Sequence, residues 1–197
     1  MLTPPLLAPL GMLDSSVRSA PLADIAVLLF DRLAQLHGLA LHDRELLRRA
    51  AVGVTFIRTT GSYSTLEHEL FGLALSDLCD ADVRMVEAVS CLAADRVAIQ
   101  AGSVRSSSAS EHRRELWLAA MLRFGDALIA EYRAPVGDVY AAWTDAVLYV
   151  ELDGFLGDDD ASDRPLSRAA ALEAASGRRV LLTASDRRRE AAQTPAA

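Results

Sequence analysis

Arg123-Phe124-Gly125-Asp126-Ala127-Leu128 is the stretch whose reading decides the fold. It lies inside a run in which Leu116, Ala119, Ala120, Leu122, Phe124, Ala127 and Leu128 recur at helical spacing. Ser108-x-x-Glu111 ahead of it has the spacing of a capping box, in which two side chains satisfy the free amides of a helix start. Working outward, Leu22, Ile25, Ala26, Leu29, Leu33 and Leu36 give another helical stripe, with Pro21 suited to its first turn and Gly38 to its stop. A helix capped by Asp43 follows through Leu46, Leu47 and Ala50. The β-branched and aromatic run Val54, Thr55, Phe56, Ile57, Thr59 and Thr60 then predicts a helix giving way to an irregular loop that ends at Gly61. Ser64-x-x-Glu67 opens a helix through Leu66 and Leu70, and Asp80 caps the next one, with Val83, Val86 and Val89 facing inward.

Beyond Pro135 the pattern changes. Val136 to Ala142 and Ala146 to Leu152 read as strands around a Trp143-Thr144-Asp145 turn. Leu166 to Ser176 reads as a short helix stopped by Gly177, and Val180 to Thr183 as a last strand. The expected fold is mainly α: a helical bundle followed by a small α+β appendage with a short antiparallel sheet. The expected organisation is an extended or disordered arm over 1–18, the helical domain over 19–134, the appendage over 135–184, and a disordered tail over 185–197.

Composition narrows the function. The chain of 197 residues is 51% hydrophobic and can bury roughly 70% of its unfolded surface, enough for a sizeable core. All 20 basic residues are Arg, which excludes a lysine Schiff base and a phosphate-loop lysine. The net charge of −7 opposes general affinity for nucleic acid. No segment offers the ~20 uncharged apolar residues of a membrane span. The prolines of Met1 to Leu13 and its lack of basic residues argue against a signal peptide. Cys79 and Cys91 fit no zinc or redox spacing and read as buried reduced thiols, which points to a cytoplasmic location.

Leu29-Phe30-Asp31, Leu46-Leu47-Arg48-Arg49-Ala50-Ala51 and Arg123-Phe124-Gly125-Asp126-Ala127-Leu128, in that order, resemble the helical C-terminal region of the exopolyphosphatase/guanosine pentaphosphate phosphohydrolase family, a relative of the HD-domain hydrolases. The likeness extends to the terminal Gly177-Arg178-Arg179-Val180-Leu181-Leu182 and covers roughly residues 20 to 184. It implies an HD-like helical domain. In the family, phosphohydrolase chemistry belongs to a preceding pair of actin-like domains, for which this chain has no room.

Under the same resemblance, the His-Asp pair of an active HD site falls on Val54-Thr55, which cannot supply charged metal ligands. His68 matches a family histidine and Asp126 the distal Asp, and two such survivors cannot hold a divalent metal. No catalytic residue, metal ligand or cofactor is therefore expected. The default reading of Asp126 is a structural partner of Arg123, and that of His68 a backbone-bonded histidine. The sharper alternative is that Arg58, His68, Arg123 and Asp126 line a vestigial cavity for an anion such as a nucleotide phosphate. His37, His42 and His112 read as helix-end or surface residues. A Ser-His-Asp triad around His68 lacks a nameable third group.

The resemblance thus implies a non-catalytic module for binding, regulation or oligomerisation. Its partner would be a second copy or a separately encoded actin-like phosphatase. The alternatives are a phosphohydrolase of exopolyphosphatase type and a sensor of polyphosphate or a guanosine nucleotide.

Overall fold

A computed structural model describes residues 12–60, 75–94, 108–132, 138–153 and 169–185. Helix α1 spans Met12–Arg32, the single turn α2 Ala34–His37, and α3 Leu41–Thr60. Then come α4 at Asp80–Ala93 and α5 at Ala109–Tyr132. Strands β1 (Asp138–Trp143) and β2 (Val147–Asp153) precede α6 (Ala169–Ser176) and β3 (Arg179–Ser185). The mainly α fold with a small C-terminal sheet is as the sequence predicts.

The bundle forms because each helix carries one apolar stripe and must bury it. Helix α3 packs on α1 and α4, and α5 packs on α1 and α4. Between them Leu29, Leu33, Leu47, Val86, Leu118 and Phe124 are sealed from solvent. Gly125 permits the approach of α5 to α1: a Cβ there would lie 3.2 Å from Ile25 Cγ2. In the expected capping box the Glu111 amide donates to Ser108 Oγ at 3.2 Å.

Three local expectations need correction. Helix α3 does not dissolve at Val52 but runs to Thr60. Its β-branched residues cost up to ~0.7 kcal/mol each in propensity. Burial of Val54 at 1% exposure and Ile57 at 5% outweighs that, at about 1.5–3 kcal/mol per fully buried aliphatic side chain. Pro21 does not open α1 but sits inside it, the helix starting at Met12, so the expected arm is helical from residue 12; residues 1–11 lie outside the described ones. At α4 the N-cap position is Cys79 rather than Asp80, which is the first helical residue.

The sheet has the order β1-β2-β3 and is mixed. β1 and β2 form the expected antiparallel hairpin, with Tyr140 opposite Glu151. Its turn is closed by Thr144, whose amide donates to the Val147 carbonyl at 2.8 Å while its hydroxyl accepts the Val147 amide at 3.1 Å. β3 pairs with β2 in parallel, Leu148 opposite Val180, so the short sheet is antiparallel only between β1 and β2. The reason is the connection: α6 lies between β2 and β3 and carries the chain back to start β3 in the same direction as β2. Gly177, at φ 66°, stops α6 as predicted. Val139, Leu148, Val150, Leu152 and Leu172 join the same buried cluster as the helices, so bundle and appendage share one core. Arg32 of α1 lies over the Tyr140 ring at 5.3 Å, adding a cation–π contact across that junction.

The expected helix opened by Ser64 and the tail beyond Ser185 lie outside the described residues. Among the described residues, no helix is long and apolar enough to cross a membrane.

Candidate functional site

Of the four residues expected to line a vestigial cavity, Arg58 and Asp126 meet directly. Arg58, in the last turn of α3, donates from Nη1 to Oδ1 of Asp126 in the middle of α5. Both side chains are partly exposed, at 31% and 18%. Arg123 lies one helical turn before Asp126 on α5 and is half-buried. His68 lies outside the described residues. Chemically, the Arg58 guanidinium meets a carboxylate of this chain's own, so the pair ties α3 to α5.

The position matched to the His-Asp pair is built for packing. Val54 is 1% exposed and sits in the core. The Thr55 hydroxyl donates to the Ala51 carbonyl one turn back, at 3.1 Å. Thr and Ser hydroxyls on helices often settle in this way. Among the described residues no three His, Cys, Asp or Glu side chains converge as metal ligands would.

A denser polar arrangement occupies the other end of α3, and sequence reasoning missed it. His37 is only 2% exposed rather than on the surface. Its Nε2 lies 2.9 Å from the Phe30 carbonyl, and the Leu39 amide donates to its Nδ1 at 2.8 Å. A carbonyl only accepts and an amide only donates, so the ring is neutral with its proton on Nε2. Burial holds its pKa below the usual histidine value, against the opposing pull of the Phe30 carbonyl. The ring stands 4.4 Å from Phe30 and 5.8 Å, edge-on, from Trp117.

Beside it, Asp43 is 3% exposed and does more than cap. Its Oδ2 accepts the Ala40 amide at 3.0 Å, the reach-back half of a capping box. Its Oδ1 accepts Arg114 Nε at 3.0 Å and also Nη2, which fixes the start of α3 to α5. His42, one residue earlier, bonds Asp82 of α4 at 2.8 Å, and Cys79 Sγ bonds the same carboxylate at 3.2 Å. The His42 contact holds the Asp82 carboxyl below the usual range. Cys79 is exposed and Cys91 half-buried, so the expected burial of both thiols does not hold. Asp43 was visible as a cap, but nothing local to it announces Arg114, which lies 71 residues away.

Between the α2–α3 turn and the first turns of α5 opens a cavity of about 380 Å³, bordered by His37, Leu39, Ala40, Ser110, Arg113 and Arg114. Along α3, Asp43 at the cavity rim stands 15 residues before Arg58, about 22 Å at 1.5 Å per residue.

No family model matches this chain, and no curated protein matches it.

Proposed function

We propose that this chain is a non-catalytic helical module, related to the C-terminal region of the exopolyphosphatase family, that acts in binding, regulation or oligomerisation. A second copy of the chain or a separately encoded actin-like phosphatase is its partner, in the cytoplasm. The observation that carries this reading is the use made of Val54 and Thr55: one is spent on the core, the other on its own helix backbone. Neither side chain offers an imidazole or a carboxylate to a cation where an HD centre would grip one. Asp126, the counterpart of the distal ligand, has an arginine as its cross-helix partner instead.

The test is direct. Purified protein is assayed with polyphosphate, guanosine pentaphosphate and p-nitrophenyl phosphate in the presence of Mg²⁺ or Mn²⁺, and its metal content is measured. The expected result is no turnover above a buffer control and no stoichiometric metal. Sustained hydrolysis that disappears in Asp126→Asn would establish the phosphohydrolase reading instead.

A further inference from the structure

We propose that the cavity between the α2–α3 turn and the start of α5 binds a small organic anion, with a carboxylate or phosphate head on Arg113 and an apolar body against Leu39 and Ala40. The volume of about 380 Å³ lies within the range of roughly 300–1,000 Å³ found for small-molecule sites. Such sites combine an apolar lining with a few polar groups that orient the ligand, which is the composition seen here. Arg114 is already committed to Asp43. Arg113 borders the same cavity, is exposed, and has no carboxylate partner among the described residues. Its positive field reaches into the cavity wall, where it opposes protonation of His37.

Two further features favour an anion. Asp43, the acid that itself lines the cavity, is engaged by Arg114 and the Ala40 amide, and Asp82 near it by His42 and Cys79. Ser110 borders the cavity in the first turn of α5, a 24-residue helix whose positive end faces the same space. An arginine paired with an oxyanion forms charge-assisted bonds about twice as strong as neutral ones, so Arg113 dominates the recognition. This site lies at the far end of α3 from Arg58 and Asp126, and it does not depend on the function proposed above.

The full chain is titrated with phenyl phosphate, benzoate and inorganic phosphate, followed by calorimetry and by amide chemical shifts. Arg113→Gln removes the charge at an exposed position, and Arg48→Gln, on the exposed side of α3, is the control. Phenyl phosphate or benzoate is expected to shift the Leu39 and Ser110 amides, with affinity about tenfold weaker in Arg113→Gln and unchanged in Arg48→Gln. The tighter of the two aromatic probes identifies the head group. Inorganic phosphate is expected to bind about tenfold more weakly than the better aromatic probe. The proposal is overturned if neither aromatic probe moves those amides at about 10 mM, if Arg113→Gln binds as tightly as the parent, or if inorganic phosphate matches the better aromatic probe.

Discussion

Asp43 and Arg114, 71 residues apart, are joined by two hydrogen bonds to a single carboxylate oxygen, while the other oxygen accepts the Ala40 amide just ahead of the helix whose first turn holds Asp43. One buried side chain therefore sets both the start of α3 and its angle to α5. Replacing Asp43 with Ala strands the Arg114 guanidinium and the Ala40 amide together. Loss of a cap costs about 1 kcal/mol and breaking a buried pair about 3–5, the latter reduced here because Arg114 is one-third exposed. Urea unfolding should show a loss of about 3 kcal/mol in Asp43→Ala. A loss below about 1 kcal/mol would show that the contact is incidental.

His37 makes the stability of the fold depend on pH. Its folded pKa lies below the usual value of 6.5, so below pH 6.5 the unfolded chain binds more protons than the folded one. The stability it contributes is whole above that pH and is lost as pH falls through the folded value. Protonation also places an N–H on Nδ1, facing the Leu39 amide that now donates to it. The midpoint of thermal unfolding should drop from pH 7.5 to pH 5.5, and the drop should shrink in His37→Gln, which cannot titrate. An identical pH slope in the variant would rule His37 out as its source.

Val54 and Thr55 should respond in opposite ways. Val54→Asp places an unpaired carboxylate at a 1% exposed core position and should cost about 4 kcal/mol or more, enough to unfold the chain at moderate temperature. Thr55→Val removes a hydroxyl that bonds the Ala51 carbonyl of its own helix and should stay within about 1 kcal/mol of the parent. Circular dichroism during denaturation separates these outcomes. A well-folded Val54→Asp protein that binds Mn²⁺ would contradict the packing role assigned to this position.

Gly125 tests the contact between α1 and α5. A larger side chain must displace Ile25 and Leu22, whose atoms stand 3.2 and 3.5 Å from where its Cβ would be. Gly125→Leu should lose about 3 kcal/mol through overpacking, despite the better helix propensity of leucine. Gly125→Ala should lose less, because the propensity gain of about 1 kcal/mol offsets part of the strain. Guanidinium unfolding of both variants checks the order.

Much of the architecture was legible because it is local. The helical recurrence of Leu46, Leu47 and Ala50 marks an α3 face that is in fact buried. Ser108 and Gly177 mark helix ends through backbone chemistry confined to a few residues. The candidate site was less legible. Arg58 and Asp126 stood out through resemblance, but their direct contact spans 68 residues, and no short-range pattern encodes it. His37 was misplaced at the surface because a histidine after a helix is ordinarily solvated. Its burial depends on Phe30 and Trp117 closing over it from two other helices.

By itself, the sequence determined the central part of each long helix of the bundle, the start of α5, the stop of α6, and that a hairpin follows the bundle. Those outcomes follow from side-chain periodicity and from hydrogen bonds reaching only a few residues along the chain. Tertiary structure alone decided that α3 persists to Thr60, that β3 runs parallel to β2, and that Asp43, Arg114 and His37 gather beside a cavity. Each of these depends on the free energy of burying one element against another distant in sequence, and local propensity carries no record of that term.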